Sequence, residues 1–297
     1  MTDITAASVA VVIPVYLQEI DGLELFSLQY SLRNLDPKRE IFFVCPRSLD
    51  VSFYLRLAPN AKFATFDDGY FTSIASYCRL LLNPHFYQRF SAYEFMLLTQ
   101  PDAIIIKDEL DYWCTQEYDY IGAPWDPSQP VALRTPDGRN KVVKIGVGNG
   151  GLSFRRNRKC IELLNEFPEA NEGGVNSEDL FFSVYGFQSK NFSIPSRFVA
   201  SRFSLEWCPD FFYELNSNYL PMGSHAWWKY DPEFWFKRLY PDLEPMRDLA
   251  LQGYAKSIAN METNNQLYLK SIEARAKEYI NKALDEFGEM ERRGQSV

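Results

Sequence analysis

Apolar positions in this chain first appear in short runs, each closed by polar residues. Residues 9–16, V-A-V-V-I-P-V-Y, are apolar and largely β-branched, the pattern of a strand covered on both faces. After Asp21-Gly22, the residues Leu23, Leu25, Phe26, Tyr30 and Leu32 recur at helical spacing and predict a helix over 23–35. Residues 41–45 (I-F-F-V-C) read as a second buried strand ending at Pro46. Residues 61–66 read as a third, closed by Asp67-Asp68-Gly69. Strand, helix and strand in alternation predict a parallel α/β sheet with right-handed crossovers. A helix carrying Arg79 is expected over 71–82, with short turns at 85–90.

The central stretch is residues 93–108, Y-E-F-M-L-L-T-Q-P-D-A-I-I-I-K-D. Two apolar runs, 95–98 and 103–106, flank a polar break, which reads as a central pair of buried strands joined by a turn. Pro101 cannot donate to a ladder, so the break interrupts the sheet. The Gln100 amide and Asp102 carboxylate then stand at a strand end, where open α/β sheets put their ligands. A polar turn without chemistry gives the same local pattern.

Further on, residues 109–114 predict a short helix and 118–125, Y-D-Y-I-G-A-P-W, a strand and turn. Residues 126–141 lack apolar periodicity and predict a surface loop. Gly146, Gly148, Gly150 and Gly151 fall within six residues, a turn or a place where backbone comes close to a ligand. Arg155 and Arg156 follow, read as phosphate or acceptor contacts or as a solvated strand end. A helix is expected over 159–167. Another starts at N-S-E-D, residues 176–179, with Asn176 or Ser177 as N-cap and Glu178 and Asp179 in its first turn. Aromatic rings crowd residues 207–235, around P-M-G-S-H-A-W-W at 221–228. Such rings suit either a core or the C–H faces of sugars. Beyond Pro241, the positions of Leu251, Tyr254, Ile258, Met261, Tyr268 and Ile272 keep three-and-four spacing. They predict a helical extension that packs on the domain or associates with another chain through residues 251–290.

Composition narrows the classes. A 297-residue chain that is 46% hydrophobic can bury a large core, and a net charge of −8 argues against nucleic acid as partner. Its five cysteines form no C-x-x-C pair, which excludes a zinc-cluster spacing and suits a reducing compartment. The opening M-T-D-I-T-A-A-S lacks a basic n-region, so a cytoplasmic location is expected, with peripheral contact at the inner membrane left open. A glycine-rich dinucleotide fingerprint is missing after the first strand.

The order V-V-I-P-V-Y, Q-P-D, Y-D-Y-I-G-A-P-W, G-N-G-G-L-S-F-R, N-S-E-D and P-M-G-S-H-A-W-W resembles a bacterial family of GT-A-type glycosyltransferases over residues 8–236. The resemblance implies a GT-A-like, Rossmann-like mixed and mostly parallel sheet flanked by helices over residues 1–240. A helical extension over 241–297 lies outside it. It implies a nucleotide-sugar donor, a carbohydrate or lipid-linked glycan acceptor, and a role in cell-surface polysaccharide synthesis. At the D-x-D position this chain has Gln100 and Asp102. With His225 they are expected to hold Mn2+ or Mg2+, Gln100 as a weaker neutral ligand. Asp179, or Glu178, is expected to deprotonate the acceptor with inversion. Pro14, Val15, Tyr16 and Arg79 are expected at the nucleotide. Gly150, Gly151, Arg155, Trp125 and Trp227 are expected at the donor sugar or acceptor. Without the resemblance, His225 reads as a structural histidine in preference to a ligand. Two other readings stay open: a non-catalytic carbohydrate-binding or scaffold subunit, and a sugar-phosphate nucleotidyltransferase. The second lacks its glycine- and lysine-rich loop here.

Overall fold

The computed structural model describes residues 9–125, 130–134, 140–144, 146–168 and 177–263. β1 (Val9–Pro14) is buried at every position, as its unbroken apolar run requires. α1 (Gly22–Asn34), β2 (Glu40–Pro46), α2 (Ser52–Leu57) and β3 (Lys62–Phe66) follow, then α3 (Ile74–Leu81) and α4 (Pro84–Gln88). Ser73 starts α3 with a reciprocal capping box to Ser76, and Pro84 occupies the first turn of α4, where its missing N–H costs nothing.

β4 (Phe95–Thr99) returns to the far side of β1. The main sheet runs β3-β2-β1-β4-β9-β6, with β6 (Tyr120–Gly122) at the edge and β9 (Leu152–Arg156) between it and β4. β1 pairs in parallel with β2 and β4, and β2 with β3. β9 is antiparallel to both its neighbours. The sheet is thus mixed and mostly parallel. Because the chain goes from β1 to one side and comes back on the other, the β1/β4 boundary is a topological switch point.

Alternation along the strands divides the core in two. Ala10, Val12, Met96 and Leu98 face one cluster, with Phe86, Tyr87 and Phe182. Val9, Val11, Phe95 and Leu97 face the other, with Phe43, Tyr54 and Trp113.

β5 (Ile104–Ile105) leaves the main sheet, so residues 95–106 are not a central strand pair. Pro101 breaks the ladder, and β5 joins a second sheet ordered β10-β11-β5, with β10 (Ser204–Leu205) and β11 (Gly223–Ser224). Its free edge is closed by α1: Ile105 N–H donates to Ser31 Oγ at 2.8 Å, and Asn34 Nδ2 donates to Ile105 O at 2.9 Å. These side-chain bonds satisfy backbone groups that a two-residue strand could not pair alone.

The span expected to be a surface loop contains a hairpin, β7 (Pro130–Arg134) against β8 (Asn140–Lys144). Backbone pairing, which needs no apolar periodicity, defines it. The remaining elements are α5 (Leu110–Thr115), α6 (Asn157–Glu166), α7 (Glu178–Gln188), α8 (Arg197–Phe203), α9 (Pro209–Leu215), α10 (Trp227–Tyr230) and α11 (Pro232–Arg238). A last helix, α12, covers residues 247–263. A third core holds Trp227, Trp228, Trp235, Leu243 and Ala250, so the first turns beyond residue 240 pack on the domain. The spacing expected to support self-association continues past residue 263, outside the described residues. Among those described, no helix is long and apolar enough to cross a membrane.

Candidate active site

The C-terminal ends of β1 and β4 open into a cleft of about 530 Å³, within the range that holds a nucleotide-sized ligand. Pro14, Val15, Tyr16 and Glu24 line it, with Thr72, Ser73, Ile74 and Tyr77, and so do the polar side chains of Gln100, Asp102 and Lys229. The cleft lies at the switch point, where strands diverge and leave backbone ends without neighbours.

Register in the second sheet assembles the polar centre. Leu205 pairs with Ser224 and Ser224 with Ile104, so Glu206, His225 and the turn at Asp102 come together just beyond the paired residues. Ala226 N–H donates to Asp102 O at 3.1 Å, closing this corner. The Gly223 backbone can sit against Ile104 because a Cβ there would lie 2.4 Å from Ile104 O.

His225 Nδ1 is 3.0 Å from Glu206 Oε1, and Nε2 is 3.1 Å from both Gln100 Oε1 and Asp102 Oδ1. Only Gln100 receives a well-aligned bond, so Asp102 Oδ1 is buried without a hydrogen bond although the imidazole is within ion-pair distance. Lys229 Nζ donates to the other oxygen, Asp102 Oδ2, at 2.7 Å. Burial alone would raise the Asp102 pKa, but His225 and Lys229 outweigh it and hold the carboxyl well below the usual range. Burial likewise would lower the pKa of His225, and Asp102 with Glu206 instead push it up to about 10.

These donors fit a divalent cation. Ligands on adjacent corners of an octahedral ion stand about 3 Å apart, matching the spacing of Asp102 Oδ1, His225 Nε2 and Gln100 Oε1. Glu206 at Nδ1 supplies the carboxylate support that orients a ligating imidazole. The set has two ionisable ligands and one amide; among the described residues no group of three His, Cys, Asp or Glu side chains is arranged for a metal. Lys229 is a cation already in place on the same carboxylate.

A glycine pair joins this centre to two carboxylates. A Cβ at Gly151 would lie 2.3 Å from His225 Nε2, and one at Gly150 would lie 2.2 Å from Glu178 Oε1 and 3.3 Å from Asp179 Cβ. Gly148, at φ +152°, takes a conformation that favours glycine. The glycines therefore admit the protein's own His225 and Glu178. Buried Arg155 organises the far side. It donates to Glu178 Oε1 at 2.8 Å, Tyr87 Oη at 2.8 Å and Ser153 Oγ at 3.0 Å. Asp179 has no such cation. Burial, then the Glu178 charge, push its pKa up to about 7. Ser177, at the N-cap position, makes no side-chain cap bond, and its hydroxyl turns to Asp179. Asn176 lies outside the described residues.

Four expected contacts are corrected. Arg155 is fully buried on Glu178 and Tyr87, outside the cleft lining, and is no solvated strand end. Trp227 is buried, donating from Nε1 to Ser27 Oγ at 2.9 Å, so its ring belongs to the third core. Arg79 points outward from α3 and does not line the cleft. Trp125 packs on the first core beside Gly148, outside the cleft lining. Glu206, Lys229 and Glu24 were not foreseen. Lys229 stands four residues after His225, but that spacing carries no ligand signature, and no motif in the sequence marks Glu206.

The fold and cleft define a mixed α/β protein with a cleft at its switch point. Residues 60–225, over half the chain, match the family described as "Protein of unknown function (DUF5672)", and the chain belongs to that family. No curated protein matches it. Among solved structures it is similar to the galactosyltransferase LgtC in complex with donor and acceptor sugar analogs (15% identity, 81% of this chain and 95% of that one, TM-score 0.47). It is also similar to mouse xyloside xylosyltransferase 1, apo form (11%, 73% and 96%, TM-score 0.45). A third is the apo glycosyltransferase GlyE from Streptococcus pneumoniae TIGR4 (14%, 86% and 63%, TM-score 0.43). No functional assignment rests on these likenesses.

Proposed function

We propose that this chain is a glycosyltransferase that moves a sugar from a nucleotide-activated donor to a carbohydrate or lipid-linked glycan acceptor. In this reading it acts in the cytoplasm on a cell-surface polysaccharide. The observation that carries the reading is the juxtaposition across Gly150–Gly151. One side offers Asp102, Gln100 and Lys229 at a nucleotide-sized cleft, with His225 in contact behind Asp102 and Gln100; the other offers the Glu178–Asp179 pair.

The chemistry needs both sides. As the anomeric C–O bond breaks, negative charge grows on the departing diphosphate and positive charge on the anomeric carbon. Lys229 sits where it can meet the first charge, and fixed cations at a developing anion are usually the largest catalytic term. Mn2+ or Mg2+, held by Asp102, His225 and Gln100, would add Lewis-acid stabilisation at the same oxygen. Pro14, Val15 and Tyr16 border the base. Asp179, whose pKa lies near neutrality, accepts the acceptor's proton as the hydroxyl attacks from the opposite face, so the anomeric configuration inverts. Glu178, held by Arg155, orients the acceptor.

One observation supports a metal-independent variant of the same reaction: Lys229 already pairs with Asp102. The two are separated by a thermal-shift panel of UDP, GDP, CMP and dTDP, each with and without Mn2+ or Mg2+. A shift with one nucleotide that grows with metal supports the metal site. A metal-independent shift supports the Lys229 variant. Absence of any shift overturns the transferase reading in favour of a binding module.

A further inference from the structure

We propose that Glu24 reads the ribose of the donor nucleotide, its carboxylate accepting hydrogen bonds from the 2′- and 3′-hydroxyls. The inference rests on the nucleotide-sugar reading of the cleft and names a specificity residue within it.

Glu24 lies in the first turn of α1 and lines the cleft with Val15, Tyr16, Gln100, Asp102 and Lys229. Among the described residues no hydrogen bond or ion pair reaches its carboxylate. The charges facing it are Asp102, Lys229 and Asp21, and Lys229 Nζ donates to Asp102 Oδ2, not to Glu24. Burial, reinforced by Asp102, raises its pKa from the ordinary glutamate value. A half-buried carboxylate in a cleft, left without a partner, has lone pairs to fill and nothing to donate when ionised. It repels phosphate and asks for hydroxyls.

Position selects which hydroxyls. The base borders Val15 and Tyr16, and the diphosphate meets Lys229 and Asp102. The unit joining base to diphosphate is the ribose, and Glu24 lines the cleft with Val15 and Tyr16 while standing within electrostatic reach of Lys229 and Asp102. A cis-diol offers two donors at the spacing of two carboxylate oxygens, and bonds to an ionised acceptor are the strong ones. An acid in the first turn of a helix also favours the helix dipole. That role alone predicts a change in melting temperature and no discrimination between sugars.

The test measures binding of UDP, GDP, ADP and CDP and their 2′-deoxy counterparts to the full chain by calorimetry. It compares the wild-type protein with Glu24→Gln and Glu24→Ala. The probes carry no transferred sugar, so contacts to that sugar cannot contribute. For the preferred base, the wild-type protein is expected to bind the ribonucleotide about tenfold more tightly than its deoxy form. In Glu24→Ala that ratio should fall to about twofold or less, because the ribonucleotide loses two bonds and its deoxy form only the one from the 3′-hydroxyl, and Glu24→Gln should lie between. The proposal is overturned if the wild-type ratio is already near one, or if Glu24→Ala weakens both forms equally. If no nucleoside diphosphate binds the wild-type protein, the nucleotide-sugar reading itself fails, a result distinct from equal binding of the two forms.

Discussion

Gly151→Ala should damage the protein through one methyl group. Its Cβ would lie 2.3 Å from His225 Cδ2 and Nε2 and 2.5 Å from Cε1. The ring cannot swing aside cheaply, because Glu206 holds Nδ1 at 3.0 Å and Gln100 meets Nε2 at 3.1 Å. The backbone is pinned as well: Gly151 O accepts from Gln100 N–H at 2.8 Å, and Gly151 N–H donates to Asn149 Oδ1 at 3.0 Å. Relief needs a displacement of about 1 Å, at an overpacking cost of about 1–3 kcal/mol. Losing one charge-assisted bond adds about 1.5–3 kcal/mol. At about 2–4 °C per kcal/mol for a domain of this size, the melting temperature should fall by roughly 5–24 °C. Nucleotide-induced shifts should disappear, since Gln100 and His225 move together.

Gly146→Ala is the matched control. Its Cβ would meet only the Arg197 side chain, at 3.9 Å, so its stability should stay within about 0.5 kcal/mol of wild type. Thermal denaturation of both variants, with and without nucleotide, decides the matter. Wild-type melting and binding in Gly151→Ala, or equal damage from Gly146→Ala, would refute the close-approach account.

Arg155→Met strands the buried Glu178 carboxylate and should cost about 3–5 kcal/mol; a urea midpoint equal to wild type at pH 7 would contradict this. For Asp179, the folded-state pKa of about 7 is above the unfolded value of about 3.9. The folded protein therefore holds this proton more tightly. Its contribution to stability is fully present below about pH 4 and lost as pH rises to about 7. Asp179→Asn should accordingly gain stability relative to wild type across that window, with a flat difference above it, as melting curves at stepped pH will show. The same variant should lower kcat by about 10²–10⁴ if Asp179 is the base, and the wild-type rate should climb as pH passes about 7. Lys229→Met should weaken nucleoside diphosphate binding by about tenfold. It should also strengthen binding of Mn2+ alone, because Asp102 loses its competing cation; a lower Mn2+ affinity by calorimetry would count against that competition.

Much of the framework was legible along the chain. The unbroken run at 9–14 announced a strand buried on both faces, and helical spacing after Asp21-Gly22 announced α1, since each depends on residues close in sequence. Pro101 marked the end of β4 because a missing N–H acts where it stands. The hairpin at β7 and β8 escaped because its order lies in cross-strand backbone bonds rather than in apolar alternation. Arg155 and Trp227 looked like surface chemistry, yet each finds a buried partner, in Glu178 and Ser27, that no local pattern names.

By itself, then, the sequence determined the strands of the N-terminal half from β1 to β4 with helices α1 and α3 among them, the start of the helix at Glu178, and the polar break at residues 100–102. Only the tertiary structure decided that β5 would leave the main sheet, that Glu206, His225 and Asp102 would meet at its new register, and that Lys229 and Glu24 would reach the same cleft. Local conformation follows from the preferences of neighbouring residues. Which distant polar groups meet follows from strand order and long-range packing, and a single sequence carries no spacing for that.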